Sequence, residues 1–157
     1  MFSLIFSMFT FSLSMSISPG PVNITILSSS MNYGLKQTFA FISGATIGFT
    51  ALLAAVCFGL YQVISLYPIL LNIITVLGTV LFVWMGWNIA RAQGESIQTD
   101  QLELPKAPSF MQGALLQWLN PKEWIAAVSG TALFSASHNA LYLLLFILIY
   151  FVVCYLT

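Results

Sequence analysis

The sequence predicts an all-α protein, a polytopic membrane helix bundle. Three observations carry that prediction. First, 59% of the residues are hydrophobic and 5% charged, with a mean hydropathy of +0.96, so a soluble fold would lack the polar side chains needed to cover its surface. Second, apolar segments long enough for membrane helices recur five times along the chain. Third, two of these segments are interrupted by proline-bearing polar motifs, Ser18-Pro19-Gly20-Pro21-Val22-Asn23 and Asn120-Pro121-Lys122-Glu123.

The composition also removes several function classes. The four basic and four acidic residues cancel, leaving no basic surface for nucleic acid. A phosphate loop, a Ser-His-Asp set and a metal-ligand cluster are all absent from the sequence, so neither a soluble-enzyme chemistry nor a metal or other cofactor is expected. Cys57 and Cys154 stand alone in apolar runs, without a second ligand at metal spacing, and read as packing residues.

Residues 1 to 30 are apolar, serine-rich and uncharged, more than enough to cross about 30 Å of hydrocarbon. No Lys or Arg precedes Lys36 and no small-x-small site follows the first apolar stretch, so this segment is expected to be retained rather than cleaved. Ser3, Ser7, Ser14 and Ser18 fall within roughly 60° of one another on a helix and predict a small-residue packing stripe. Residues 31 to 38 read as a polar connection, with a turn at Asn32 to Gly34.

Phe39 to Leu66 reads as the second span. Gly44, Gly48, Ala51, Ala55 and Gly59 form one small-residue face suited to close helix packing. A third span is expected from Pro68 to about Ala90, with Tyr61 and Tyr67 marking its approach, Gly78 and Gly86 on one face, Trp84 and Trp87 as interfacial anchors, and Asn72 and Asn88 solvated near its ends. Residues 93 to 109 hold Glu95, Asp100, Glu103 and Lys106 with Gly94, Pro105 and Pro108, the pattern of a flexible connector. A fourth segment runs from Phe110 to about Phe134 and a fifth from about Ala140 to Thr157; His138, in their join, reads as solvated.

Lys36, Arg91 and Lys106 fall in the first and third loops, which places those loops in the cytoplasm and the N-terminus outside. The chain then divides into a three-helix repeat (1–92), a cytoplasmic connector (93–109) and an incomplete second repeat (110–157). Pro19 and Pro121 are 102 positions apart, and with that offset both halves show the same order of half-span, break, half-span, turn and span. An odd number of spans per repeat inverts the second copy, an arrangement common in secondary transporters.

Proline removes a backbone donor and disfavours helical geometry in the residue before it, so each break should end one helix and start another. Asn120 fits an N-cap, with Glu123 positioned to reach back to the Asn120 backbone amide. The ten residues Phe110 to Leu119 make about 15 Å of helix, which puts Asn120 near the bilayer centre. Irregular backbone at that depth lines a polar cavity or lies inside protein, and two helix N-termini there suit a carboxylate.

The candidate substrate-binding and translocation residues are therefore Ser18, Pro19, Gly20, Pro21, Asn23, Gln117, Asn120, Pro121, Lys122 and Glu123. Lys122 either faces this cavity or snorkels away. As helix neighbours, Lys122 and Glu123 are expected to be poor partners for each other. Glu123 reads equally as a cap and as a proton carrier.

At these motifs the sequence resembles the LysE/RhtB family of amino-acid exporters. Ser18-Pro19-Gly20-Pro21 with Asn23 resembles the first-helix signature and Leu119-Asn120-Pro121-Lys122 the fourth-helix signature. Gly34, Ser43-Gly44-Ala45-Thr46-Ile47-Gly48, Leu77-Gly78, Gly86 and Phe110-Met111-Gln112-Gly113 are further matches. The resemblance implies proton-motive export of small amino-acid-like substrates through the bilayer of the bacterial inner membrane, by six spans in two inverted triplets. Glu123 departs from the pattern, standing where the family commonly has a small apolar residue.

The fold so implied places a sixth span beyond Thr157, so a truncated chain is expected, whose exposed fifth helix would seek a partner such as a second copy. The rival readings are a membrane thiol or electron-transfer protein, for which Cys57 and Cys154 are read as lying away from both breaks, and an inactive transporter fragment.

Overall fold

The computed structural model describes residues 2–59, 107–134 and 140–157, together with isolated helical positions between 69 and 87. Six helices are described: α1 (Phe2–Ile17), α2 (Pro21–Tyr33), α3 (Leu35–Cys57), α4 (Phe110–Trp118), α5 (Pro121–Phe134) and α6 (Ala140–Leu156). There is no strand among the described residues.

The serine-rich α1 stays helical because its hydroxyls find partners within the helix. Ser7, Thr10 and Ser12 donate to the carbonyls of Ser3, Phe6 and Met8. The helix stops ahead of Pro19, and α2 starts at Pro21 from an extended Gly20 with φ −139°. The two helices meet at 61°. The expected stripe of packing serines is not the packed face, since Ser3, Ser7 and Ser14 are exposed whereas Met8 and Ser12 are fully buried. Small size permits close approach without choosing the side, and here the larger Met8 and Phe11 direct α1 inward.

The polar connection between the first two spans is a single residue. Gly34 holds φ 80°, donates its N–H to Ser30 O and passes directly into α3. Lys36 therefore lies in the first turn of α3. At its other end α3 stops at Cys57, followed by Gly59 with φ 105° and open space around the position of a Cβ. Gly59 is thus a helix-end glycine rather than the packing glycine its spacing predicted.

Helix α3 is the axis of the bundle. Its Gly44 meets the Phe110 backbone, its Gly48 would put a Cβ 2.7 Å from Ala114 Cα, and Gly113 meets the backbone at Phe41. These contacts seat α4 against α3 at backbone distance, as the Gly44 and Gly48 spacing predicts. Helix α4 begins with a capping box in which Gln112 N–H donates to Ser109 Oγ and Ser109 N–H donates to Gln112 Oε1.

One apolar cluster gathers Met8, Phe49, Leu52, Leu53, Trp124, Phe146 and Tyr150 from α1, α3, α5 and α6. A second, smaller one joins Val22, Phe41, Ala45 and Leu116 from α2, α3 and α4. The surface is strongly apolar, with Phe6, Phe9, Ile24, Leu27, Ile125, Leu133, Leu144 and Leu148 all exposed, as a helical bundle in lipid requires. Helix α3 alone, and the bent α1–α2 pair taken as one span, are long and apolar enough to cross a membrane.

Asn72, Trp84 and Trp87 are helical and exposed. The other expectations for the third span (Pro68, Gly78, Gly86, Asn88), with Tyr61, Tyr67, His138, Arg91 and residues 93–106, lie outside the described residues.

Candidate functional site

The two proline breaks meet. Lys122 Nζ, in the first turn of α5, donates to Ser18 O at 2.6 Å, spanning 104 positions of sequence. Ser18 follows the last turn of α1, where carbonyls lack intrahelical partners and carry partial negative charge. Asn23 serves the same end from α2, donating its amide to Ser16 O at 2.8 Å and to Ser18 O at 3.3 Å. Pro19 provides the interruption that leaves these carbonyls unpaired. Gly20 is buried and permits the approach, because a Cβ there would lie 3.1 Å from Lys122 Nζ and 3.2 Å from Lys122 Cδ.

The second break is differently finished. Asn120, 2% exposed, accepts the Lys122 N–H on Oδ1 at 3.1 Å, and its carbonyl accepts the N–H groups of Glu123 and Trp124. The expected capping box is not formed. Asn120 N–H donates instead to Gln117 O at 3.3 Å, and the Asn120 side-chain amide donates to Glu123 Oε1 at 3.4 Å. The backbone amide is already engaged by the tight turn out of α4, so only the side-chain amide remains for the carboxylate.

Glu123 is 9% exposed. Its Oε1 lies 4.0 Å from Lys122 Nζ, so the neighbours do approach despite diverging on the helix, because the Lys122 side chain turns toward Ser18. Pro121, at the start of α5, is exposed. Gln117, one turn before the break, is 4% exposed, and its Oε1 has no hydrogen-bond partner among the described residues. A buried acceptor without a donor is a costly arrangement.

Two tryptophans hold the second break in place. Trp118 Nε1 donates to Gly48 O at 3.0 Å and Trp124 Nε1 to Trp118 O at 2.7 Å. Neither was singled out in the sequence, where an aromatic beside a break looks like any other apolar residue.

The cysteine placement also needs correction. Cys57 pairs with the Thr131 hydroxyl at 3.2 Å, far from the breaks in the fold as in sequence. The thiol of Cys154 instead lies beside the side chains of Thr46 and Ser16, and the Thr157 hydroxyl that follows the same helix hydrogen-bonds with that of Ser16. Ser16 is two residues before Ser18, so α6 brings Cys154 beside the first break, a neighbourhood no spacing rule could reveal. Both thiols are free.

The arrangement presents groups of both signs: a lysine ammonium and the open start of α2 beside a carbonyl and a carboxylate. No group of three potential metal ligands occurs among the described residues.

The chain is 24% identical over 132 residues to a cysteine/O-acetylserine efflux protein of Salmonella typhimurium strain LT2, a match that takes in 83% of this chain and 65% of the relative. It is 27% identical over 135 residues to a protein of the same description in Escherichia coli O6:H1, covering 84% of this chain and 66% of that relative. The chain thus spans just under two thirds of the length of these curated relatives. No solved structure gives a significant match. The family described as LysE type translocator matches residues 13–157, taking in both breaks and every described helix at least in part; the chain belongs to that family.

Proposed function

We propose that the chain carries the substrate site of a secondary transporter that exports amino acids or amino-acid derivatives across the bacterial inner membrane. The observation that carries this reading is the Lys122–Ser18 contact, which brings the broken α1–α2 pair and the broken α4–α5 pair to one place. Family membership and the naming of the relatives as cysteine/O-acetylserine efflux proteins support a small zwitterionic substrate. The inverted repeat read from the sequence gives the mechanism: the two halves rock about this site, exposing it alternately to each face, with the proton gradient as the driving force.

In this mechanism the open N-terminus of α2 holds the substrate carboxylate. Gly20 is extended, Pro21 has no N–H, and no side chain among the described residues caps the helix, which leaves its first donors for an anion. Lys122 adds charge, while Asn23 and Gln117 border the bound amino acid. The fully capped start of α5 contributes its side chains rather than its backbone.

The test is transport of radiolabelled cysteine and O-acetylserine in everted membrane vesicles, comparing native sequence with Lys122→Ala and Pro19→Ala. Both variants should lose most of the native rate. Unchanged transport in both would overturn the site assignment.

A further inference from the structure

We infer that Lys122 is a tethered occupant of an ammonium-binding site formed by the Ser18 carbonyl and the Glu123 carboxylate, and that the ammonium group of an incoming substrate replaces it there. The inference rests on the transport reading only for the identity of the molecule that does the replacing.

The chemistry of the site is that of an ammonium receptor. Ser18 O lies at the negative end of α1 and already accepts a cation at 2.6 Å. Glu123 completes the cationic environment, yet neither of its contacts is tight. Its Oε1 has the Asn120 amide at 3.4 Å and the Lys122 ammonium at 4.0 Å. Charge-assisted hydrogen bonds ordinarily close to about 2.7–2.9 Å, so a carboxylate 9% exposed retains unused capacity for a better-placed donor.

The lysine stem holds its ammonium 2.6 Å from Ser18 O but 4.0 Å from Glu123 Oε1. A free ammonium, carried by no stem, has no such constraint. Lys122 keeps a quarter of its side chain accessible, which gives solvent and solutes a way in, and Gly20 presents no side chain to obstruct the exchange.

Charge balance then defines the ligand class. The resting site holds one cation and one anion, Lys122 and Glu123. A zwitterion preserves neutrality: its ammonium takes Ser18 O and Glu123, its carboxylate takes the free donors at the start of α2, and the released Lys122 swings to that carboxylate. A simple alkylammonium would leave an unpaired positive charge, and an N-acylated amino acid has no ammonium to offer. The site is therefore selective for compounds with a free primary ammonium beside a carboxylate.

Removing the tethered cation should convert the site into a receptor for a monocation. Ethylammonium chloride is the probe, titrated calorimetrically into the purified full chain in detergent. Lys122→Met should bind ethylammonium at least about tenfold more tightly than the native chain, and the gain should vanish in Lys122→Met/Glu123→Gln. No gain in Lys122→Met, or a gain that survives loss of Glu123, overturns the assignment.

A second measurement needs no substitution of Lys122. Acetylation of Lys122 by a membrane-permeant reagent, referenced to the exposed Lys36, should accelerate several-fold in Glu123→Gln, and an unchanged ratio also overturns the assignment. Because ethylammonium binding is independent of transport, these outcomes separate from a failure of the efflux assay.

Discussion

The two breaks begin from the same chemistry and finish differently. At the first, proline and glycine open the chain and no side chain among the described residues caps the new helix, so α2 starts with open backbone donors while the carbonyls of α1 are closed off by Asn23 and Lys122. At the second, Asn120 closes the start of α5 completely, and the Lys122 side chain that follows it reaches across to the first break. One break supplies backbone and the other supplies charge. A symmetric pair would duplicate a carboxylate site; on the transport reading proposed above, the asymmetric pair would provide for both ends of a zwitterion.

This comparison can be broken most severely through the support of the second break. Gly48→Leu would drive a side chain into the Ala114 backbone and unseat α4, together with the Trp118 bond to Gly48 O. A loss of about 3 kcal/mol or more is expected, read as collapse of the monodisperse peak in detergent chromatography. Next, Asn23→Ala removes two bonds to the end of α1, leaving Ser18 O to Lys122 and Ser16 O without this donor. It should cost about 1–3 kcal/mol in chemical denaturation.

Asn120→Ala sharpens the contrast. Loss of a helix cap costs about 1 kcal/mol, less than Asn23→Ala, because the second bond lost, from the Asn120 amide to Glu123, is long at 3.4 Å and the Asn120 carbonyl still receives Glu123 and Trp124. An equal or larger effect would mean that the second break depends on its cap as heavily as the first depends on Asn23. The smallest effect is expected for the double substitution Cys57→Ser, Cys154→Ser. A serine hydroxyl preserves the contacts to Thr131, Thr46 and Ser16, so vesicle transport should stay within about twofold of native, a difference of roughly 0.4 kcal/mol. Abolished transport would revive the thiol-chemistry reading.

What the sequence made legible is what local covalent chemistry dictates. Proline at 19 and 121 announces both breaks, because a missing N–H acts whatever surrounds it. Gly44 and Gly48 announce a close crossing, because only a residue without a side chain permits it. Gly59 has the same spacing but sits past the last turn of α3, and spacing carries no information about where a helix ends. The serine stripe failed for a related reason: it marks a face without saying what lies opposite. Least legible were contacts made across the fold, Lys122 with Ser18 and Cys154 with Ser16, since nothing local to either residue names its partner.

The single-residue join at Gly34 has a mechanical consequence. Thirteen residues of α2 make a rod about 20 Å long, with the first break at its Pro21 end and the pivot at Gly34. Open space surrounds the pivot, and its backbone conformation is one that a side chain would resist. A displacement of about 2 Å at Pro21 would correspond to a rotation of roughly 6° about Gly34. Only that one residue separates the rod from α3, the helix that grips α4.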